Sequence, residues 1–317
     1  MSFPLCQVRR ESRLDLRPKF FKRRWHKKYD LFRKYIMLQS LLADFQKLAD
    51  PAHAVGVSRF FKCGKGEYGE WDLFLGLYVP QVRVLSKQYK DLPLADIETL
   101  ITSPIHEYRL LAVFILTIQY ERALKTSKIS SRPVKGGNEG GLADQIIFLY
   151  LANKAYINNW DLVDLSAPRL LWRSILEAII ANEKNVIPAE CHPRFASCGR
   201  DLAGIQTVPG DPAKILHTLS HSTSLRDRRI SIISTFTLLR AGLYDDTLEI
   251  AETLLTDTHD LIHKAVGRML REIGKRCKPV EDGFLKKHYK VMPRTMLRYA
   301  IEKYPEEERL RWLKGDM

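Results

Sequence analysis

Strand-like alternation is nearly absent from this 317-residue chain, cysteine is sparse, and acidic charge falls well short of basic charge. Each shortage removes a class of protein. The five cysteines, Cys6, Cys63, Cys191, Cys198 and Cys277, are odd in number and show neither CxxC nor Cys/His spacing. They signal neither a disulfide framework nor a zinc site, and reduced thiols are expected. No apolar run approaches the roughly 18 residues that a membrane span needs, and the N-terminus lacks the apolar core of a secretory signal. A cytoplasmic location follows as the expectation.

The familiar catalytic signatures are missing too. The run from Lys62 to Glu70 carries glycines but has no GK[ST] ending and no strand before it, so it does not cradle a nucleotide phosphate. Ser, His and Asp are present without nucleophile-elbow spacing. His259-Asp260-Leu261-Ile262-His263 approaches the HExxH pattern of zinc proteases, but Asp is one methylene shorter than the Glu base and no third ligand is signalled. No metal and no cofactor are expected.

What is abundant is positive charge: 51 Lys and Arg against 37 acids, a net +14. A basic balance favours a polyanionic partner, nucleic acid above all. Twelve of those cations lie in residues 1–36 with three acids, so +9 sits in the N-terminal extension. The body is only mildly basic, and a binding surface there must come from local clustering.

Periodicity is helical almost throughout. From Leu261 to Lys275, Ile262, Ala265, Val266, Met269, Leu270 and Ile273 recur at three and four residues, the signature of one buried helix face. Breaks at Ser103-Pro104, Ala241-Gly242, Thr256-Asp257, Pro279 and Met292-Pro293 read as hairpin joints. In the C-terminal half the second helices begin near Arg226, His259 and Met292, about 33 residues apart, which is a helical-pair repeat length. The expected fold is all-α, a right-handed solenoid of helical pairs with a concave basic face; an ordinary bundle is the alternative. Residues 1–36 form a basic N-terminal extension or a misassigned start. A repeat domain spans 37–317, with loop-like stretches near 126–141 and 182–213.

Two groups of residues suit chemistry. Asn158-Asn159-Trp160-Asp161-Leu162-Val163-Asp164 opens a helix: either Asn can cap it, and Trp160 and Asp164 share a face one turn apart. An aromatic ring beside a carboxylate suits a cation; a core Trp and a capping Asp are the plainer reading. On the helix from Leu261, Lys264, Arg268, Arg271 and Lys275 form a stripe opposite the apolar face, a geometry that suits a row of phosphates. Arg228 and Arg229 open the preceding second helix and Arg294 the following one.

The chain resembles the bacterial DNA alkylation repair glycosylases of the AlkD type, solenoids of HEAT-like repeats, from about Met37 to Pro305. The resemblance rests on Arg59-Phe60-Phe61-Lys62, Phe74 to Pro80, Ile105-His106-Glu107-Tyr108-Arg109, Asn158 to Asp164, Arg228-Arg229-Ile230, Leu261 to Arg276 and Met292-Pro293-Arg294. It implies a monofunctional hydrolase that releases cationic bases, N7-methylguanine and N3-methyladenine, from double-stranded DNA without deep base flipping. Asp164, Trp160 and Arg229 would be the catalytic residues: Asp164 and Trp160 beside the damaged sugar, Arg229 gripping the backbone. Arg228, Lys264, Arg268, Arg271, Lys275 and Arg294 would bind DNA. A monomer is expected. The chain departs from the family at Arg268, where the related helix carries Trp after Ala-Val-Gly, and at Trp71, where the family often has Gly. A catalytically weak or inactive DNA-binding protein on the same scaffold is the alternative, and a protein-interaction scaffold a third.

Overall fold

The computed structural model describes residues 36–65, 67–129, 141–171 and 212–316; the basic N-terminal extension and most of the two loop-like stretches lie outside them. Among the described residues the chain is helical, with one isolated parallel bridge between Leu73 and Ile105. Helices α1 (36–48), α2 (Pro51–Phe60), α3 (Val79–Gln88) and α4 (Leu94–Ile101) lead to the long α5 (His106–Ile129). Then come α6 (Leu142–Ala152), α7 (Trp160–Leu170), α8 (Pro212–Ser220), α9 (Leu225–Ser234) and the short α10 (Phe236–Arg240). The chain ends with α11 (Asp245–Thr253), α12 (Asp260–Gly274), α13 (Lys278–His288), α14 (Arg294–Ala300) and α15 (Glu306–Lys314). Thr126 to Ile129, expected in a loop, continue α5.

Helices α5, α7, α9, α12 and α14 pack each against the next and form one continuous row. Their partners α3, α4, α6, α8, α11 and α13 flank that row, as in a stack of helical pairs. The second helices start at Leu225, Asp260 and Arg294, close to the spacing expected from the sequence. Close approach within the row has a local cause at Gly267, where a Cβ would stand 2.4 Å from the Met296 carbonyl oxygen. Only glycine lets α12 lie so near α14.

The joints repeat in chemistry as well as in spacing. At Ser103, Ser222 and Asp257 a side-chain oxygen accepts from the backbone N–H two residues on, at Ile105, Ser224 and His259. The carbonyl of the same residue meets a side chain six residues on, from Arg109, Arg228 and His263. Each joint thus satisfies free polar groups at a helix start with its own residues, which fixes the angle between the paired helices. His259 is the N-cap of α12, its Nδ1 accepting from the Leu261 N–H, in keeping with a joint residue rather than a metal ligand.

Two further features bear on expectations from the sequence. Cys63 is a free thiol, but Cys277 is disulfide-bonded; the expectation of reduced thiols throughout is corrected, since an odd cysteine count without CxxC spacing does not exclude a single bridge. No helix among the described residues is long and apolar enough to cross a membrane.

Candidate functional site

The Asn158–Asp164 segment folds as its sequence implies. Asn159 is the N-cap of α7, its side-chain oxygen accepting from the Trp160 N–H at 2.9 Å. Trp160 and Asp164 therefore stand one turn apart on one face. Asn158 goes elsewhere: its Nδ2 donates to Asp72 Oδ1 at 2.6 Å, and Asn159 Nδ2 donates to Asp72 Oδ2. Pro168, four residues after Asp164, lacks the N–H that would bond the Asp164 main-chain carbonyl.

Asp164 sits where α7, α9 and α12 meet. Arg229, from α9, donates to it through Nε (3.1 Å) and through Nη2 to both oxygens (2.8 and 3.0 Å). Its remaining Nη1 donates to the Leu261 carbonyl at 2.7 Å, and its side chain is 8% exposed. Arg268, from α12, donates through Nη1 to Asp164 Oδ2 at 2.8 Å and is 40% exposed. Burial raises the Asp164 carboxyl above its ordinary value, and the guanidiniums of Arg229 and Arg268 pull it only part of the way back. Both oxygens accept and neither faces an acceptor, so the bonding pattern requires the ionised form.

Trp160 is packed by rings. Phe60 and Phe61 lie 6.0 and 5.6 Å from it, centroid to centroid, and its indole hydrogen-bonds to Tyr68. Phe61 also stacks with Phe74, which stacks on His106, while Phe61 itself lies tilted against that imidazole. Phe60 ends α2, and Phe61, Tyr68 and Phe74 come from the segment between α2 and α3, which is folded back onto α5. Leu73 N–H donates to the Pro104 carbonyl, His106 N–H to the Leu73 carbonyl, and the buried Glu107 carboxylate accepts from the N–H groups of Leu75 and Gly76. Gly76 has φ +84°, and a Cβ there would stand 2.0 Å from the Asp50 carbonyl oxygen, so the turn demands glycine.

Behind this wall lies a charge network that sequence reasoning missed. His106 is buried between two carboxylates, with Nε2 2.9 Å from Asp161 Oδ2 and Nδ1 3.6 Å from Asp72 Oδ2. Arg109 Nη2 pairs with Asp72 Oδ1 at 2.6 Å. Burial opposes charge on the His106 ring, but Asp161 and Asp72 outweigh it and hold its pKa up at about 9. Two cations and two anions balance, and they lock α5 to α7 directly under Trp160. His106 and Arg109 were visible as one turn of a helix start; nothing in the sequence pairs them with Asp72 and Asp161.

The network makes stability pH-dependent. A His whose folded pKa of about 9 exceeds its ordinary 6.5 contributes fully below pH 6.5 and loses that contribution as pH rises through 9. The shift corresponds to on the order of 3 kcal/mol. Glu281, buried so that its carboxyl is pushed up to about 8 from 4.5, adds a loss of the same sign between those values. The melting temperature is expected to fall between pH 6.5 and 9, and His106→Gln to melt lower with a flatter profile in that window. A His106→Gln variant as pH-sensitive as the parent would remove His106 from the account.

The cationic stripe is present in position but is paired. Lys264 donates to Asp260, Arg271 pairs with Glu302 and Lys275 with Glu272. Asp260 lies one turn before Lys264, and Glu302 arrives from beyond α14, so acids already occupy cations that the sequence offers to a row of phosphates. Arg228 is further removed from a surface role, its Nε donating to Asp257 at 2.5 Å and Nη1 to the carbonyls of Ser222 and Thr223. Arg294, at the start of α14, is exposed. Among the described residues no group of three or more His, Cys, Asp or Glu side chains is placed to hold a metal ion.

The comparisons with known proteins bear on the fold and the family. No curated protein matches the sequence at a significant level. A solved structure described as "Predicted DNA alkylation repair enzyme from Enterococcus faecalis" superposes with a TM-score of 0.53 at 17% identity, over 81% of this chain and 97% of that one. At that identity the likeness speaks for the fold. The sequence itself matches the family described as DNA alkylation repair enzyme over residues 41–187 and 204–304, a span that takes in Trp160, Asp164, Arg229 and Arg268. With most of its length inside that match, the chain belongs to the DNA alkylation repair enzyme family.

Proposed function

We propose that the protein is a monofunctional DNA glycosylase that hydrolyses the N-glycosidic bond of cationic alkylated purines, N7-methylguanine and N3-methyladenine. The observation that carries the reading is the Asp164 carboxylate, held ionised by Arg229 one turn from Trp160. As the bond breaks, the deoxyribose becomes oxocarbenium-like, so a fixed carboxylate near it stabilises charge that grows in the transition state. The departing base already carries positive charge and leaves as a neutral molecule. Asp164 stabilises the sugar and orients the attacking water; Trp160 offers its ring face to the sugar cation, worth roughly 0.5 to 2 kcal/mol.

Arg229 takes a role different from a free backbone clamp: with three of its nitrogens engaged it positions Asp164. Arg268, the exposed second partner, is the cation able to leave for a phosphate, and Arg294 is placed to contact DNA farther along the row. Lys264, Arg271 and Lys275 can exchange their carboxylates for phosphates, whereas Arg228 holds its joint. The partner is double-stranded DNA, bound by the repeat domain from residue 37, and the reading requires no cofactor, no metal and no second subunit. A cytoplasmic location is part of the same proposal.

The direct test is release of free base from duplex DNA carrying either lesion, by the purified protein. Release of methylated purine supports the proposal. DNA binding without any release would favour the second reading, a non-catalytic binder of damaged DNA, whose specific motivation is the Arg268–Asp164 ion pair that neutralises the carboxylate.

A further inference from the structure

We propose that Trp71 is a nucleobase-stacking residue, displayed at the edge of the site to hold a base unstacked at the damaged position. The inference rests on reading the site as one that handles DNA, but not on base release.

Trp71 is 83% exposed, the most exposed of the protein's large apolar side chains among the described residues. Its backbone has φ +80°, in the left-handed region that strongly favours glycine and is a clear outlier for a bulky residue. An indole placed in water on a strained backbone loses on both counts in the free protein, so neither folding nor solubility accounts for it.

Its location gives the ring a use. Asp72, the next residue, is buried and anchored to Asn158, Asn159 and Arg109, and thus to the start of the helix that carries Trp160 and Asp164. Three residues earlier in the loop Tyr68 bonds the Trp160 indole. At the other end Leu73 is fixed to the α4–α5 joint through Pro104 and His106. Trp71 therefore projects from a rigid stretch beside the candidate site rather than from a free loop. Phe60, on the Trp160 ring, and Leu73 add exposed apolar surface on the same segment, at 66% and 58%. A flat aromatic face presented by a basic chain, next to residues suited to a cationic sugar, matches a nucleobase in both shape and setting. Base stacking on aromatic side chains tolerates any sequence, as a lesion-directed protein requires.

Trp71→Gly is the decisive variant, because glycine adopts φ +80° without strain: its melting temperature should stay level or rise by a few degrees. The probe is a duplex carrying a tetrahydrofuran abasic analogue opposite 2-aminopurine, with the intact duplex as control. The expected result is about tenfold weaker binding of the abasic duplex by Trp71→Gly. Affinity for the intact duplex should change less than twofold, and Trp71→Phe should recover most of the loss. The bound 2-aminopurine should be brighter with Trp71→Gly than with the parent, whose indole quenches it. Unchanged binding of both duplexes would overturn the proposal, and so would an equal loss on both, which would make Trp71 a general surface contact. Unaltered 2-aminopurine emission would also overturn it and point to a protein partner for this edge. If the parent releases no alkylated base while Trp71→Gly still loses the abasic duplex, the glycosylase reading falls and the stacking role stands; the converse pattern separates them the other way.

Discussion

Asp164→Asn should lower single-turnover release of N7-methylguanine about a thousandfold while leaving DNA affinity equal or higher. At about 4 Å and an effective dielectric of about 20, a carboxylate and a sugar cation attract by about 4 kcal/mol, which is on the order of a thousandfold in rate. Asparagine keeps the shape and one acceptor for Arg229 but removes the charge. Affinity does not fall with it, because the exposed Arg268 guanidinium that now faces Asp164 becomes free to face a polyanion. A structural cost accompanies the change. Arg229 is nearly buried and keeps only the Leu261 carbonyl as a full partner. Removing one member of a buried pair costs about 3–5 kcal/mol, and the retained acceptor makes the lower end apply. The assay is therefore run well below the variant's melting temperature, with circular dichroism confirming the fold. Release at the parent rate would sink the mechanism.

The readable part of this site was local. Asn159 capping α7, Trp160 and Asp164 sharing its face, and the apolar stripe of α12 all depend on residues within a few positions of one another, where helical geometry alone sets the outcome. The same holds for the joint residues His259 and Ser103. Partners from elsewhere were not readable. No local pattern signals that the segment from Phe61 to Gly76 folds back to wall in Trp160, because its hydrogen bonds run to Pro104, His106 and Glu107. The acids that pair with Lys264 and Lys275, Asp260 and Glu272, lie within four residues along the chain; those that pair with Arg271 and Arg268 do not. Glu302 and Asp164 come from other helices, and distance along the chain hid them. Trp71 was legible only as a departure from a glycine position; its φ of +80° gives that departure its physical meaning.

Arg268→Trp should raise base release about tenfold and weaken DNA binding, with the slope of log affinity against log salt falling by about one. The reason is the charge balance around Asp164. In the free protein one carboxylate faces two guanidiniums, so a developing sugar cation meets a cluster of net +1. Catalysis requires Arg268 to leave. It is the partner able to do so, being 40% exposed and held by one bond, whereas Arg229 is held by several and is nearly buried. A DNA phosphate is the natural destination for a displaced guanidinium. Arg268 would then trade a contact that silences Asp164 for one that strengthens binding, so that the carboxylate is exposed only when DNA is present. Replacing it removes the need for that exchange and one phosphate contact together, which is why rate and salt dependence should move in opposite directions. Arg268→Gln separates the two contributions of the tryptophan: it removes the charge without adding a ring. A gain with glutamine equal to that with tryptophan would assign the effect to charge, and a gain with tryptophan alone would assign it to an aromatic wall for the sugar. Unaltered release and an unaltered salt slope in both variants would place Arg268 outside the path of the substrate, and its ion pair with Asp164 would then be a structural contact only.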